Sequence, residues 1–223
     1  MLAIAAVTSS PKLSDMGDYI FRVTPVSTRL AELLSTYAMR QQGFTEAAMI
    51  YELTDYVVPV ADKFQEPIKQ SGGAVISSMT FNPGETEFKS ILLKTVRRRA
   101  DFLYIGVQAP DTALLLMRQI KELNLKFKVF GNEQFAGAFI SAKDPDRALL
   151  EGVVFAEPVC NLTSPATKKF AEEYKRRYQV RDLPFGCYTG EPYDAVNILS
   201  QALRKCGENV DCVKDYLYAL RNY

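Results

Sequence analysis

The chain has 223 residues, 48% of them hydrophobic and 24% charged, enough apolar material for one large α/β domain or two lobes and no reason to invoke disorder. Its 27 Lys and Arg balance 26 Asp and Glu, so no overall field draws it to nucleic acid or to an anionic membrane. Histidine is absent, which excludes His-based triads, proton shuttling near neutral pH and the commonest metal ligand.

In chain order, residues 2–7 read as a buried strand, followed by a polar loop from Thr8 to Asp18. Tyr19-Ile20-Phe21-Arg22-Val23 reads as the next strand, ended by Pro25. From Thr28 to Gln42 the apolar positions Leu30, Leu33, Leu34, Tyr37 and Ala38 recur at helical spacing, and Gly43 is placed to stop the helix. The strand Ala47 to Glu52 leads to a helix from about Pro59 to Gln70, whose end Pro67 is expected to distort or shorten. The strand Ala74 to Phe81 follows, then Asn82-Pro83-Gly84-Glu85, a turn by composition. Thr86 is placed to cap a helix carrying Phe88, Ile91, Leu92 and Val96 on one face. Arg97-Arg98-Arg99, the densest basic cluster, closes that helix, where cations complement the helix dipole. A strand from Phe102 to Gly106, a helix with Leu114, Leu115, Arg118, Ile120 and Leu123, and strands Phe127 to Phe130 and Val153 to Ala156 complete the alternation. Every apolar run falls short of the ~20 residues that cross a bilayer, and Met1 to Val7 is too short and uncharged for a secretory signal.

Strands alternating with helices of this length call for right-handed crossovers and a parallel sheet covered on both faces. The expected fold class is therefore α/β, with residues 27–155 supplying enough strands for a sheet of their own. The three helices beyond it, Pro165 to Tyr178, Glu191 to Lys205 and Val210 to Asn222, have just a few strands, from residues 1–25 and 153–160, to pack against. That imbalance points to a second lobe whose sheet is incomplete in this chain.

Four strand ends share one grammar, an apolar run that gives way to polar side chains: Ala5 to Ser10, Met49 to Tyr56, Leu103 to Gln108, and Lys128 to Phe135. In an open parallel sheet such ends gather along one edge, where a ligand crevice forms. Glu133 is placed to receive an ammonium group, or else is a solvated loop acid or helix cap. Tyr56 offers a ring and a hydroxyl, or packs its own helix. Gln108 is an amide that donates or accepts, or is solvated. Thr8, Ser9 and Ser10 supply hydroxyls and consecutive N–H groups suited to a small anion, or simply form a turn before Pro11. Asp55 and Glu133 can be posed as an acid–base pair, but nothing in the chain joins them as nucleophile or metal site, so catalysis is disfavoured. No G-x-G-x-x-G or G-x-x-x-x-G-K-[ST] follows a strand, and no cofactor is expected. Of the four cysteines, Cys160 and Cys187 stand isolated, while Cys206 and Cys212 bracket a polar turn. Neither spacing suits zinc; Cys206 and Cys212 form a local disulfide, implying an oxidising compartment, or remain free thiols.

Thr8-Ser9-Ser10-Pro11-Lys12-Leu13, Tyr19-Ile20-Phe21-Arg22-Val23-Thr24-Pro25, Phe81-Asn82-Pro83-Gly84-Glu85-Thr86-Glu87-Phe88, Val129-Phe130-Gly131-Asn132-Glu133, Glu151-Gly152-Val153 and Tyr193-Asp194-Ala195-Val196, in this order, resemble the type I periplasmic binding proteins. The resemblance is to the branched-chain amino acid (Leu/Ile/Val) substrate-binding subunits of ABC transporters. It implies two Rossmann-like lobes with parallel sheets that close on one amino acid or similar zwitterion, at the periplasmic or extracellular face. It further implies delivery to a membrane permease, with no enzymatic activity, no nucleic acid partner and no direct membrane insertion. Ser9 matches the family's hydroxyl contact to the ligand carboxylate, and Val7 and Thr8 match a segment whose main chain helps. Tyr56 matches a tyrosine of the other lobe, and Glu133 the acid that receives the α-ammonium. Gln108 stands where leucine-binding members often carry tyrosine, which makes the pocket more polar. Family members extend beyond both ends of this chain, so a fragment, or part of a longer protein, is expected, with residues 1–26 and 156–223 as the remainder of the incomplete lobe and 27–155 as the other. A ligand-sensing module of a receptor or regulator keeps the same fold, and a Rossmann-like enzyme is the further alternative.

Overall fold

Three of the predicted strands, those around residues 47–52, 102–106 and 128–131, are near-continuous apolar runs, and each is buried over most of its length. The computed structural model describes residues 1–223 except 97–98, 144, 162, 185 and 222–223, with only the main chain of Val96. Two compact units emerge: residues 27–157, and residues 1–26 with 158–223.

The larger unit holds a parallel sheet of five strands in the order β4-β3-β5-β6-β7, with β3 at Glu46–Glu52, β4 at Ala74–Phe81, β5 at Phe102–Gly106, β6 at Lys128–Gly131 and β7 at Val154–Phe155. Side chains alternate across the pleat. Ala47, Met49, Phe102, Tyr104 and Phe130 face α1 (Ser27–Arg40) and α2 (Val57–Gln70), while Ala48, Ile50, Leu103, Ile105 and Val129 face α3 (Lys89–Val96), α4 (Pro110–Glu122) and α5 (Gln134–Ser141). Aromatic rings fill the first layer. Phe64 of α2 stacks on Tyr104 with centroids 4.0 Å apart, and Phe102 lies 4.9 Å from Phe130.

Several boundaries differ from the sequence reading for identifiable reasons. Helix α2 starts at Val57 because Thr54 Oγ accepts the Val57 N–H at 3.0 Å. It runs through Pro67 to Gln70, since a proline in the last turn forfeits only one N–H bond. Helix α3 starts at Lys89, not after Thr86: the Glu87 carboxylate accepts the Lys89 N–H, and the Thr86 carbonyl is taken by the Gln119 amide of α4. The sequence reading has no helix at α5, where a short run buries Phe135, Ala136 and Ala138 and Gly137 interrupts the periodicity. Gly137 fits closely there; an added Cβ would come within 2.9 Å of the Pro110 ring. Arg97 and Arg98 lie outside the described residues, as do the Val96 side chain and the expected helix end at Asn222; Arg99 is exposed.

The smaller unit has a two-stranded parallel sheet, β1 (Ala3–Ala5) with β2 (Ile20–Arg22), and the helices α6 (Pro165–Tyr178), α7 (Glu191–Cys206) and α8 (Val210–Ala219). The strand expected near residues 153–160 to serve this unit pairs instead with β6 as β7 of the larger sheet. Among the described residues, Ala195, Ile198 and Ala202 of α7 and Val213 of α8 are its buried apolar side chains. Two disulfides brace it, Cys160–Cys187 and Cys206–Cys212. The reading of Cys160 and Cys187 as isolated is thereby corrected: they lie 27 residues apart in sequence but their Cα atoms are 5.3 Å apart.

Candidate functional site

Strand order reverses between β3 and β5. The chain steps outward from β3 to β4, then crosses back to place β5, β6 and β7 in succession on the other side of β3. In open parallel sheets the crevice at such a reversal, outside the carboxyl ends of the strands, is where ligands sit. Three loops meet at this edge, following β3, β5 and β6, and they carry Tyr56, Gln108 and Glu133.

Glu133 follows β6 at the position just before α5, yet its side chain makes no capping bond to that helix. Its Oε1 instead accepts the Tyr56 hydroxyl at 2.7 Å and the Ser27 hydroxyl, at the start of α1, at 3.1 Å. Neither donor carries a charge, and the two fix the orientation of the carboxylate. Burial pushes the Tyr56 phenol above its usual range, and the Glu133 carboxylate adds to the shift, so Tyr56 remains a donor. Beneath them the buried Tyr104 hydroxyl has no hydrogen-bond partner among the described residues, and burial first, then Tyr56 and Glu133, raise its phenol as well. A cavity of about 10 Å³ beside Glu133, lined by Ser27, Tyr56 and Tyr104 among others, has room for about one water molecule. Gly131 is required by this packing: a Cβ there would stand 2.1 Å from the buried Phe135 ring.

The remaining loops are laced to the same edge. Asn132, buried, holds the main chain of Val107 at both polar groups, donating to its carbonyl at 2.8 Å and accepting its N–H at 3.3 Å. The next N–H, that of Gln108, donates to the buried Glu52 carboxylate at 2.7 Å. The Gln108 side chain accepts the Thr54 hydroxyl at 3.0 Å. Tyr56 and Glu133 thus bond directly, whereas Gln108 bonds to neither and is tied to the β3 loop through Thr54 and Glu52. Ser27, Thr54, Glu52, Asn132 and Tyr104 were not singled out in the sequence. Asn132 had a signal, a polar residue directly after a strand-ending glycine; Ser27 had none.

Val7, Thr8 and Ser9 belong to the smaller unit, where they follow β1; Val7 and Thr8 are exposed and Ser9 is buried. Arg22 of β2 shapes this loop by donating to the Ser10 carbonyl at 2.8 Å and the Ser14 hydroxyl at 2.6 Å. A larger cavity, about 400 Å³, lies at the opposite, amino edge of the five-stranded sheet, between the end of α4 and Leu149 to Val153. It contains none of the candidate residues.

A doubly wound parallel sheet with polar loops at its switch point and an oriented carboxylate among them has the layout of an open α/β sheet with a crevice at its carboxyl edge. The family described as periplasmic binding protein matches residues 1–223, and the chain belongs to it. The leucine-, isoleucine-, valine-, threonine- and alanine-binding protein of Pseudomonas aeruginosa is 22% identical over 209 residues, 93% of this chain and 54% of that protein. The leucine-specific-binding protein of Salmonella typhimurium is 25% identical over 218 residues, 96% of this chain and 58% of that one. Among solved structures, a leucine binding protein, LivK, from Thermotoga maritima superposes with a TM-score of 0.85 at 18% identity, covering 100% of this chain and 63% of the other. The branched-chain amino acid transporter substrate binding protein LivJ from Streptococcus pneumoniae, solved in complex with isoleucine, gives 0.76 at 18% identity, covering 100% and 62%. The fold is that of the type I periplasmic binding proteins. The chain spans somewhat over half the length of the curated relatives it matches.

Proposed function

We propose that this protein is a non-enzymatic solute-binding protein that captures an α-amino acid or similar small zwitterion outside the cytoplasmic membrane. Its two lobes close on the ligand and present it to the permease of an ABC transporter. The observation that carries the reading is Glu133, held at the switch-point edge by two uncharged donors, Tyr56 and Ser27, in an orientation suited to an α-ammonium. The loop Val7, Thr8 and Ser9 takes the ligand carboxylate through main-chain N–H groups and hydroxyls. The relatives named above as binding leucine, isoleucine or valine support the ligand class, and two disulfides suit an oxidising, extracytoplasmic compartment.

Calorimetric titration with a panel of amino acids, their N-acetyl derivatives and the matching amines tests this. Binding is expected only where α-ammonium and α-carboxylate are both present. Equal affinity for an N-acetyl derivative removes Glu133 from its role and overturns the reading.

A further inference from the structure

Gln108 stands at the reversal of strand order, and the structure fixes which end of its amide faces outward. Its main-chain N–H is anchored on Glu52, and the neighbouring Val107 main chain is held by Asn132. The Thr54 hydroxyl has one proton to give. Its oxygen already accepts the Val57 N–H that opens α2, and its proton goes to the Gln108 carbonyl oxygen at 3.0 Å. The amide nitrogen, with two N–H donors, is therefore the end left toward the crevice, and it has no partner among the described residues. Rotating the amide by half a turn would set NH2 against the Thr54 hydroxyl and leave that hydroxyl's proton unused, so the network holds one orientation.

Resting on the amino acid reading above, we infer that Gln108 is a specificity-determining residue that selects α-amino acids whose side chain carries a neutral carbonyl acceptor, the carboxamides asparagine and glutamine, over branched aliphatic ones. The spacing is suitable. Gln108 follows β5 and Glu133 follows β6, adjacent strands ~4.8 Å apart, so an ammonium at Glu133 places the ligand's side chain within reach of the β5 loop. An aliphatic side chain packed there strips water from two N–H donors and replaces it with nothing, whereas a carbonyl accepts one of them. Charge argues for a neutral acceptor. Glu52, Asp55 and Glu133 all lie along this edge, and a second carboxylate on the ligand would face them. Thr54 acts through Gln108 as a positioning residue.

The test uses near-isosteric ligands, so that shape is held constant while the acceptor changes. Calorimetry on the full chain with asparagine against leucine, and glutamine against methionine, is expected to favour the amide by roughly tenfold or more in each pair. In Gln108→Leu the order inverts, and in Thr54→Val, where the amide is free to turn, the preference shrinks while the affinity for the zwitterionic backbone, read from alanine, stays. Leucine bound as tightly as asparagine by the unaltered protein, or a preference unchanged in Gln108→Leu, overturns this inference and leaves the amino acid reading standing. Failure to bind any α-amino acid overturns both.

Discussion

Replacing Glu133 with glutamine separates the charge of this side chain from its shape. In the folded protein Oε1 accepts two hydroxyls, from Tyr56 at 2.7 Å and Ser27 at 3.1 Å, and a carboxamide oxygen can accept both in the same place. These two hydrogen bonds lose their charge assistance, partly offset because a half-buried amide costs less to desolvate than a carboxylate. The expected loss of stability is about 1 kcal/mol, a few degrees in melting temperature for a chain of this size. The ligand loses more. Its ammonium, taken out of water, no longer meets an anion, and removing one member of such a pair costs about 2–5 kcal/mol, or roughly thirty- to several-thousandfold in affinity. Calorimetric titration and differential scanning calorimetry on the same preparations read the two quantities separately. Affinity within about threefold of the unaltered protein would refute the role of Glu133. A loss of affinity accompanied by an equal loss of folding stability would show that Glu133 supports the edge without touching the ligand.

Three further outcomes follow from the hydrogen bonds and cross-links. Asn132→Ala leaves a buried N–H and a carbonyl of Val107 without their side-chain partner and is expected to cost about 2–4 kcal/mol; Asn132→Asp keeps the acceptor but sets a carboxylate against the Val107 carbonyl, so chemical denaturation should show little or no rescue. The Cys160–Cys187 bond closes 27 residues of sequence and Cys206–Cys212 only 6, so replacing the first pair with serines should cost about 3.6 kcal/mol and the second about 2.2, measured by urea unfolding; the reverse order would contradict the chain-entropy account. Asp101, its pKa held below the ordinary 3.8 by the N–H groups of Thr45 and Glu46, stabilises the protein above that value and loses the contribution as pH falls through its lowered value. The melting-temperature difference between Asp101→Asn and the unaltered protein should therefore be present at neutral pH and vanish in strong acid.

Much of the architecture could be read along the chain because strands buried on both faces have to be apolar throughout, and the helices between them must be apolar along one stripe. That reasoning reaches β3, β5 and β6 and most of α1, α2 and α4. It stops where tertiary contacts override local pattern. Helix α5 is too short to show a period, and it forms because Phe135 fills the space that Gly131 leaves open. Thr86 has the chemistry of a cap, but its carbonyl is claimed by Gln119 from another helix and a neighbouring carboxylate takes over at the helix start. The pairing of Cys160 with Cys187 leaves no mark in spacing, because any two distant cysteines look isolated until the chain brings them together.

The site divides in the same way. That polar residues follow the ends of β3, β5 and β6 is a property of the primary structure, and it is enough to single out Tyr56, Gln108 and Glu133, since a parallel sheet collects the carboxyl ends of its strands on one edge. Which of them touch is decided by the fold alone. Ser27 and Glu133 are 106 positions apart, Tyr56 and Glu133 77, and Thr54 and Gln108 54, and hydrogen bonds over such separations exist only once the strand order is set. The residue types along the chain determined what chemistry this edge can offer; the direction in which each donor and acceptor points came from packing, because a hydrogen bond depends on distances and angles that no linear order specifies.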